Sequence, residues 1–310
     1  LHYLSHSFPT RRSSELLVLV NGALVGSVPA SLGGFTLGTL TTASEKQLLR
    51  PLTGGGTERF AALNAGPPDP GQPRPGSIPP MATRQSALSR ALDDRHLLGL
   101  FIEQARMHGL WIVGGTIPLK LPDEPRVAAA CLVFDDAGRE VARYDKIHLF
   151  DVDVPGKLES HRESKAVRPG TGVVTVDTPA GRLGLAICYD VRFPELFREL
   201  LQQGAEWFTL PSAFTVPTGR AHWELLLRTR AVENLCYLVA AAQSGFHESG
   251  RETHGDSMIV EPWGRVLARL PRGTGVITAE LDLARQRRLR QDFPAVGHRR
   301  LAVTAPRRES

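Results

Sequence analysis

The chain has 310 residues, 42% of them hydrophobic and 22% charged, a composition typical of globular proteins. The formal net charge is +5, but the arginines are scattered along the chain, so we expect no nucleic-acid partner. No apolar run approaches the ~20 residues that a membrane helix needs, and we expect no membrane partner. The three cysteines lie far apart without metal-ligand spacing, which indicates a reducing cytoplasm and predicts neither a metal nor a cofactor.

Residues 1–85 form an atypical N-terminal segment. The opening residues, LHYLSHSFPTRRSSELL, have no clear helical or strand period and resemble translated sequencing-adapter read-through more than a signal peptide. Residues 66–80 are dense in proline and glycine, which predicts an irregular backbone. We therefore expect poor order in this segment and place a single well-packed domain at residues 86–305.

Strand and helix patterns alternate from residue 97 onward. Apolar residues at helical spacing predict helices over 97–109, 195–204 and 221–235. Turn residues at 136–138 and 179–181 separate pairs of strands and predict two hairpins. Further apolar runs read as buried strands between these elements. The alternation predicts an α/β fold in which helices cover mixed sheets.

Cys188 is the last apolar position before a polar turn in the stretch LGLAICYDVRFPEL. A thiol at the end of an apolar run is often a small core residue. A nucleophile at a strand end, close to backbone N–H groups that hold an oxyanion, fits the same pattern. The local sequence alone leaves both interpretations open.

Lys146 and Glu163 are the other two candidate catalytic residues. Lys146 lies in an apolar strand context, where lysine is unusual, although an edge-strand or snorkelling lysine is an equal alternative. Near a cysteine, an ammonium group lowers the thiol pKa and can donate a proton. Glu163 taken alone reads as a solvated loop residue.

Five motifs, in this order, resemble those of the nitrilase superfamily of carbon–nitrogen hydrolases: YDKIHLFDVDVPG, ESKAVRPG, LAICYDVRFPEL, PSAFTVPTGRAHWELLLRTRAVEN and DSMIVEPWG. The resemblance runs from residue 97 to residue 302. It implies a four-layer αββα sandwich that usually assembles into homodimers or larger homo-oligomers. It also implies a Glu–Lys–Cys triad that hydrolyses amides or nitriles through a thioester.

The resemblance assigns a role to each matching residue. Cys188 matches the nucleophile, and Lys146, 42 residues upstream, matches the proton donor and oxyanion stabiliser. Glu163 matches a supporting glutamate that positions the lysine, and the N–H of Tyr189 would complete the oxyanion hole. The chemistry also needs a carboxylate base that takes the thiol proton, protonates departing ammonia and activates water.

The general-base glutamate of the family has no counterpart in this chain. The family places it in a Pro-Glu segment upstream of the lysine, where this sequence has Gly76. We expect that the reading frame is shifted before residue 85. If Gly76 is genuine, a catalytically impaired copy that acts only as a dimerisation or interaction module is the alternative function.

Two amidase groups of the superfamily resemble this chain most. The motifs CYDVRFPEL and AAAQSGFHESGRETHGDSMIVEPWG are more similar to amidases of deaminated glutathione, which we therefore expect. The motifs HLFDVDVPGK and ESKAVRPG lean towards ω-amidases, which act on α-ketoglutaramate-type substrates and form the alternative. The substrates of both groups carry carboxylates, and for this chain we expect hydrolysis of a small linear amide to acid and ammonia.

A carboxylate-bearing substrate predicts a cationic pocket. Arg192 and Arg220 are the candidate anion-binding residues, and Phe214 and His222 are expected to shape its entrance. For Arg192, a structural ion pair with a nearby acid, Glu195 or Asp190, is the favoured alternative. Trp223 and its helix neighbours are expected in the core or at a dimer contact.

Overall fold

The structure of the protein is a computed structural model that describes part of the chain. The described residues are 16–21, 59–64, 94–154, 160–246, 251–273 and 275–301.

The strands are numbered in chain order and form two large sheets and two small ones. They are β1 (Leu16–Asn21), β2 (Arg59–Asn64), β3 (Trp111–Val113), β4 (Ile117–Leu121), β5 (Glu124–Phe134), β6 (Glu140–Asp145), β7 (Asp151–Asp153), β8 (Ser160–Arg162), β9 (Val167–Arg168), β10 (Thr175–Thr178), β11 (Gly181–Leu185), β12 (Trp207–Thr209), β13 (Tyr237–Ala240), β14 (Ser244–Phe246), β15 (Glu252–His254), β16 (Ser257–Val260), β17 (Val266–Leu270) and β18 (Gly275–Glu280).

The described helices are of two kinds. Two are short 3₁₀ helices, Glu163–Lys165 and Cys188–Arg192, and both begin at a predicted catalytic residue. The α-helices are α1 (Asp94–His108), α2 (Pro194–Gln202), α3 (Val216–Asn234) and α4 (Leu283–Asp292). No helix among the described residues is both long enough and apolar enough to cross a membrane.

Both large sheets mix parallel and antiparallel pairs. The first has the order β18-β2-β1-β3-β5-β4, with β6 and β9 also paired to the long strand β5. The second has the order β10-β11-β12-β13-β16-β17. The antiparallel pairs β5–β6 and β10–β11 confirm the two predicted hairpins.

Three apolar clusters define the layers. One lies between the two sheets and includes Val133 of β5 and Trp207 of β12. A second joins the second sheet to α2 and α3, with Phe197 and Trp223 fully buried. The third joins the first sheet to α1 through Phe101. The order helix, sheet, sheet, helix confirms the predicted αββα sandwich.

Strand periodicity explains how one strand serves two layers. Successive side chains of a strand point to opposite faces. In β13, Tyr237 and Val239 enter the cluster between the sheets, whereas Leu238 and Ala240 face the helices. Each sheet is therefore apolar on both faces, as a four-layer fold requires.

The segment that we expected to be poorly ordered contains two described strands. β1 pairs in parallel with β2 and β3, and β2 pairs with β18, so both lie inside the first sheet. The rest of residues 1–85, including Gly76, lies outside the described residues. The domain boundary at residue 85 and the frameshift therefore stay predictions.

Two helices differ from the sequence expectation. α3 begins at Val216 rather than at residue 221, because Pro217 occupies its first turn, where proline is well tolerated. α4 was not predicted, since its sequence LARQRRLRQD offers little apolar periodicity. Its start is capped by the side chain of Asp282, which accepts a hydrogen bond from the N–H of Arg285.

Candidate active site

Lys146 follows the last residue of β6 and is 3% exposed. Its backbone N–H donates to the carbonyl of Ala129, and its carbonyl accepts from the N–H of Gly170, so the backbone is fixed on both sides. A buried ammonium group requires a partner of opposite charge. Lys146 does follow an edge strand, since β6 pairs with β5 alone among the described strands, but its buried ammonium group does not fit the alternative of a snorkelling lysine.

Glu163 supplies that partner. Its Oε2 atom lies 2.5 Å from Lys146 Nζ and also accepts from the backbone N–H of Phe150 at 2.6 Å. The carboxylate is held at the start of the 3₁₀ helix Glu163–Lys165. A solvated loop glutamate, the alternative for this residue, does not fit these contacts.

Cys188 lies at a strained turn directly after the strand that delivers it. The strand β11 ends at Leu185, and Cys188 opens a 3₁₀ helix with a φ of +48°, a left-handed conformation that non-glycine residues adopt rarely. Such strain costs on the order of 1–3 kcal/mol and is concentrated at functional sites. The partly buried side chain contacts both the inter-sheet cluster and the cluster under the helices.

The N–H of Cys188 donates to the carbonyl of Pro211 at 2.9 Å. It is therefore occupied within the protein and is a poor donor for a substrate oxyanion. The oxyanion donors must come from elsewhere, which agrees with the roles that the resemblance gives to the N–H of Tyr189 and to Lys146 Nζ.

Asp190 connects the lysine segment to the cysteine turn. Its side chain is fully buried and accepts four hydrogen bonds. Oδ2 accepts from the hydroxyl of Tyr144 at 2.8 Å and from the N–H of Ile187 at 2.8 Å. Oδ1 accepts from the backbone N–H of His148 at 3.2 Å and from its Nδ1 at 2.7 Å. Burial and the Asp190 charge raise the pKa of Tyr144, so its hydroxyl stays a neutral donor.

Aromatic rings pack around the turn. Tyr189 lies edge-on to Phe150 and Phe193, with centroid distances of 5.0 and 5.3 Å. Phe193 also stacks on His148 at 3.7 Å. Since the N–H of Phe150 binds Glu163, these rings link the glutamate to the residue that follows the nucleophile. The predicted residues Cys188, Lys146, Glu163 and Tyr189 therefore belong to one contact network.

Arg192 does not form the structural ion pair that we favoured. Asp190 is engaged by the donors named above, and no described ion pair joins Glu195 to Arg192. The guanidinium instead lies 5.8 Å from the ring of Tyr189 and 5.5 Å from that of Phe214, and it contacts His222 Nδ1 at 3.3 Å. Partial burial lowers the pKa of Arg192.

Arg220 and His222 are exposed residues of α3 and line a groove of about 880 Å³. The groove follows α3 and contains Glu224, Arg228 and Trp263, but not Cys188, Lys146 or Glu163. His222 joins the network through Arg192. Within the described part of the chain, no hydrogen bond or ion pair connects Arg220 to the contact network around Cys188.

The sequence reasoning missed the hydrogen-bonding residues Tyr144 and His148 and the role of Asp190. All three stand within two residues of a predicted catalytic residue. That closeness was the available signal, but the hydrogen bonds among them span more than 40 positions of the chain.

Comparisons with known proteins show the family of this chain. A family model described as carbon-nitrogen hydrolase matches residues 76–291, more than half of the chain. The chain therefore belongs to the carbon-nitrogen hydrolase family, which confirms the predicted class of hydrolases that act on amides.

Individual relatives carry more specific names. A deaminated glutathione amidase from Yersinia enterocolitica is 43% identical over 199 residues, 64% of this chain and 70% of that protein. The crystal structure of the Caenorhabditis elegans NitFhit protein has a TM-score of 0.66 and 44% identity, covering 70% of this chain. This chain spans only 53% of that one.

A third similar protein is a mutant of the amidase from Nesterenkonia sp. AN1. Its structure has a TM-score of 0.56 and 26% identity, and the match covers 70% of this chain and 74% of that one. It shows covalent addition of the acetamide moiety of fluoroacetamide at the active-site cysteine.

Proposed function

We propose that the chain hydrolyses small linear amides to acid and ammonia through a thioester on Cys188. The observation that carries the proposal is the ion pair of the buried Lys146 with the partly buried Glu163, connected by hydrogen bonds of neighbouring residues to the turn that holds Cys188. A structural cysteine needs no connection to such a charged pair. The cysteine adduct of the Nesterenkonia amidase supports the same nucleophile.

The reaction has two stages. The Cys188 sulfur bonds to the amide carbon, and the oxyanion is stabilised by Lys146 Nζ and the N–H of Tyr189. Collapse of this intermediate breaks the C–N bond, and the nitrogen leaves with the proton that the Cys188 thiol gave up. Water then attacks the thioester carbon and the C–S bond breaks, so the water oxygen enters the acid and one of its protons restores the thiol.

Arg192 supports a substrate that bears a carboxylate. It is half-buried between two aromatic rings and lies within the network around Cys188. Among the described residues, Arg192 has no acidic partner, and such an arginine is suited to a bidentate contact with a carboxylate. Deaminated glutathione is the proposed substrate, because relatives such as the Yersinia protein carry that name. An α-ketoglutaramate-type amide is the alternative.

A catalytically impaired copy is the second candidate function, and it rests on Gly76, which stands where the family has an acid. Release of the leaving group, cysteinylglycine from deaminated glutathione and ammonia from an α-ketoglutaramate-type amide, tests the two candidates when it is measured for the wild type, Cys188→Ala and Gly76→Glu. An active amidase requires release by the wild type and none by Cys188→Ala. A silent wild type with an active Gly76→Glu variant would establish the impaired copy, and silence of all three would overturn the amidase proposal.

We also propose that the chain forms a homodimer or a larger homo-oligomer in the cytoplasm. The oligomer is supported by large apolar side chains exposed on α3, Leu225 at 66% and Val232 at 44%, beside the exposed Trp263. The location is supported by the free thiols of Cys131, Cys188 and Cys236.

A further inference from the structure

We propose that Asp190 is a positioning residue for the reaction, which fixes Lys146 in place relative to Cys188. The inference rests on the proposed function, because it concerns the same nucleophile and the same lysine. Asp190 itself faces neither substrate nor solvent, being fully buried, so it acts through the residues it binds.

Asp190 binds a segment of five residues, 144–148, that is centred on Lys146 and that we call the lysine arc. Two positions before the lysine, the Tyr144 hydroxyl donates to Asp190, and two positions after it, His148 donates twice. The same hydroxyl accepts from the N–H of Ile147 at 3.3 Å. Both flanks of Lys146 are therefore tied to one carboxylate, which defines the direction in which the lysine side chain leaves the backbone.

Asp190 also binds the residue that precedes Cys188, within the segment 187–190 that we call the cysteine turn. Asp190 Oδ2 accepts from the N–H of Ile187, the residue before Cys188, and the N–H of Asp190 donates to the carbonyl of Ile187 at 3.0 Å. These two bonds close the backbone around the nucleophile. They stabilise the turn in which Cys188 adopts its left-handed conformation.

An ionised carboxylate is the side chain that suits this position. All four groups that face it are donors, two of them backbone N–H groups that cannot reverse their roles. Replacing Asp190 by asparagine leaves a single acceptor oxygen, so one backbone N–H would face an amide NH₂ group. The substitution preserves size while it detaches either the lysine arc or the cysteine turn.

The test uses iodoacetamide, whose methylene carbon bonds to the Cys188 sulfur as iodide leaves and the thiol proton passes to solvent. Asp190→Asn releases either the lysine arc or the cysteine turn, so Lys146 and the Cys188 sulfur lose their fixed arrangement, and we expect alkylation to slow about tenfold. In a Lys146→Met background only the change in the cysteine turn remains, so the same substitution should slow alkylation by about twofold or less. Mass spectrometry of the Cys188 peptide gives both rates on the full chain.

Asp135→Asn is the matched control. Asp135 is 2% exposed and accepts from two backbone N–H groups and from Arg139, but it lies in the β5–β6 turn. Both aspartate variants should lower the unfolding midpoint, and only Asp190→Asn should slow alkylation. If Asp190→Asn does not fold, Tyr144→Phe removes one of the four hydrogen bonds and should slow alkylation to a smaller degree.

The kinetics of ammonia release distinguish a positioning role from a purely structural one, because kcat and KM are measured separately. We expect Asp190→Asn to lower kcat about tenfold and to leave KM within twofold, since Asp190 contacts no substrate. Equal slowing of alkylation with and without Lys146, or no slowing, overturns the positioning role. A wild type that releases no ammonia contradicts the proposed function alone, because the alkylation rates still decide the role of Asp190.

Discussion

Arg192 is the residue whose surroundings depart most from the sequence interpretation. Arg192 is close in sequence to Asp190 and Glu195, which favoured a structural ion pair. The carboxylate of Asp190, however, accepts hydrogen bonds from other donors. Among the described residues, the guanidinium lies against two aromatic rings and His222 and has no acidic partner. We therefore propose that its charge binds an anionic ligand.

Replacing Arg192 by methionine tests this proposal, because methionine keeps much of the apolar contact with the rings. A lost charged hydrogen bond costs about 1.5–3 kcal/mol, so KM for a carboxylate-bearing amide should rise roughly 10- to 100-fold. KM for an uncharged amide such as propionamide should change little. Steady-state ammonia release with both substrates measures the difference.

Arg182→Met provides the control for that prediction, since Arg182 is an arginine paired with Asp177 on the second sheet. It should leave both KM values unchanged. Equal losses for the charged and uncharged amides in Arg192→Met would show that the arginine supports the structure and does not recognise a carboxylate.

The proposed catalytic and positioning residues differ in how far the sequence identified them. Cys188, Lys146 and Glu163 stand in long motifs, and the structure brings the lysine and the glutamate into contact. The sequence did not reveal how Asp190 is bound, because a hydrogen bond between positions 144 and 190 leaves no pattern in the neighbouring sequence. Residues that act through tertiary contacts need coordinates to be found.

At the scale of elements, periodicity predicted the strands and helices that pack on apolar layers. α1 and α2 were predicted to within a few residues, because their apolar faces meet the sheets. The first turn of α3 was missed because Pro217 and Gly219 are typical of loops. A Cβ at Gly219 would meet the His254 ring, so close packing explains this glycine within a helix.

The exposed face of α3 carries the oligomer prediction. Leu225→Glu places a charge in the proposed contact, and burying an unpaired charge is costly, so we expect the mass in solution to fall to that of a monomer. Sedimentation velocity measures it. Met107→Glu, at a 55% exposed position of α1, should not change the mass. A wild-type monomer, or an unaltered Leu225→Glu oligomer, would contradict this interface.

At the scale of the whole molecule, the layers give the three cysteines different surroundings. Cys131 lies between the sheets and Cys236 in the cluster under the helices, both fully buried, and burial raises the pKa of each thiol to about 12. Cys188 is partly exposed. The fold thus separates one accessible thiol from two protected ones.

Thiol counting tests this separation. At pH 7.5 the native protein should take up a single acetamide group from iodoacetamide, since buried thiols with a raised pKa hold almost no thiolate. In denaturant all three cysteines should react, and native Cys188→Ala should take up none. Intact-mass measurement reads the result, and rapid uptake of two or three groups by the native chain would refute the layered arrangement.

The division of the candidate active site between two sheets has a consequence for folding. Lys146 and Glu163 belong to the half of the sandwich built on β5 and β6, whereas Cys188 follows β11 of the other half. The sheet of the first half also contains β18, which lies after Cys188 in the chain, so neither half is complete when the cysteine is added. The thiol therefore meets the lysine only when the two halves pack against each other, and the candidate reactive centre forms together with the core between the sheets.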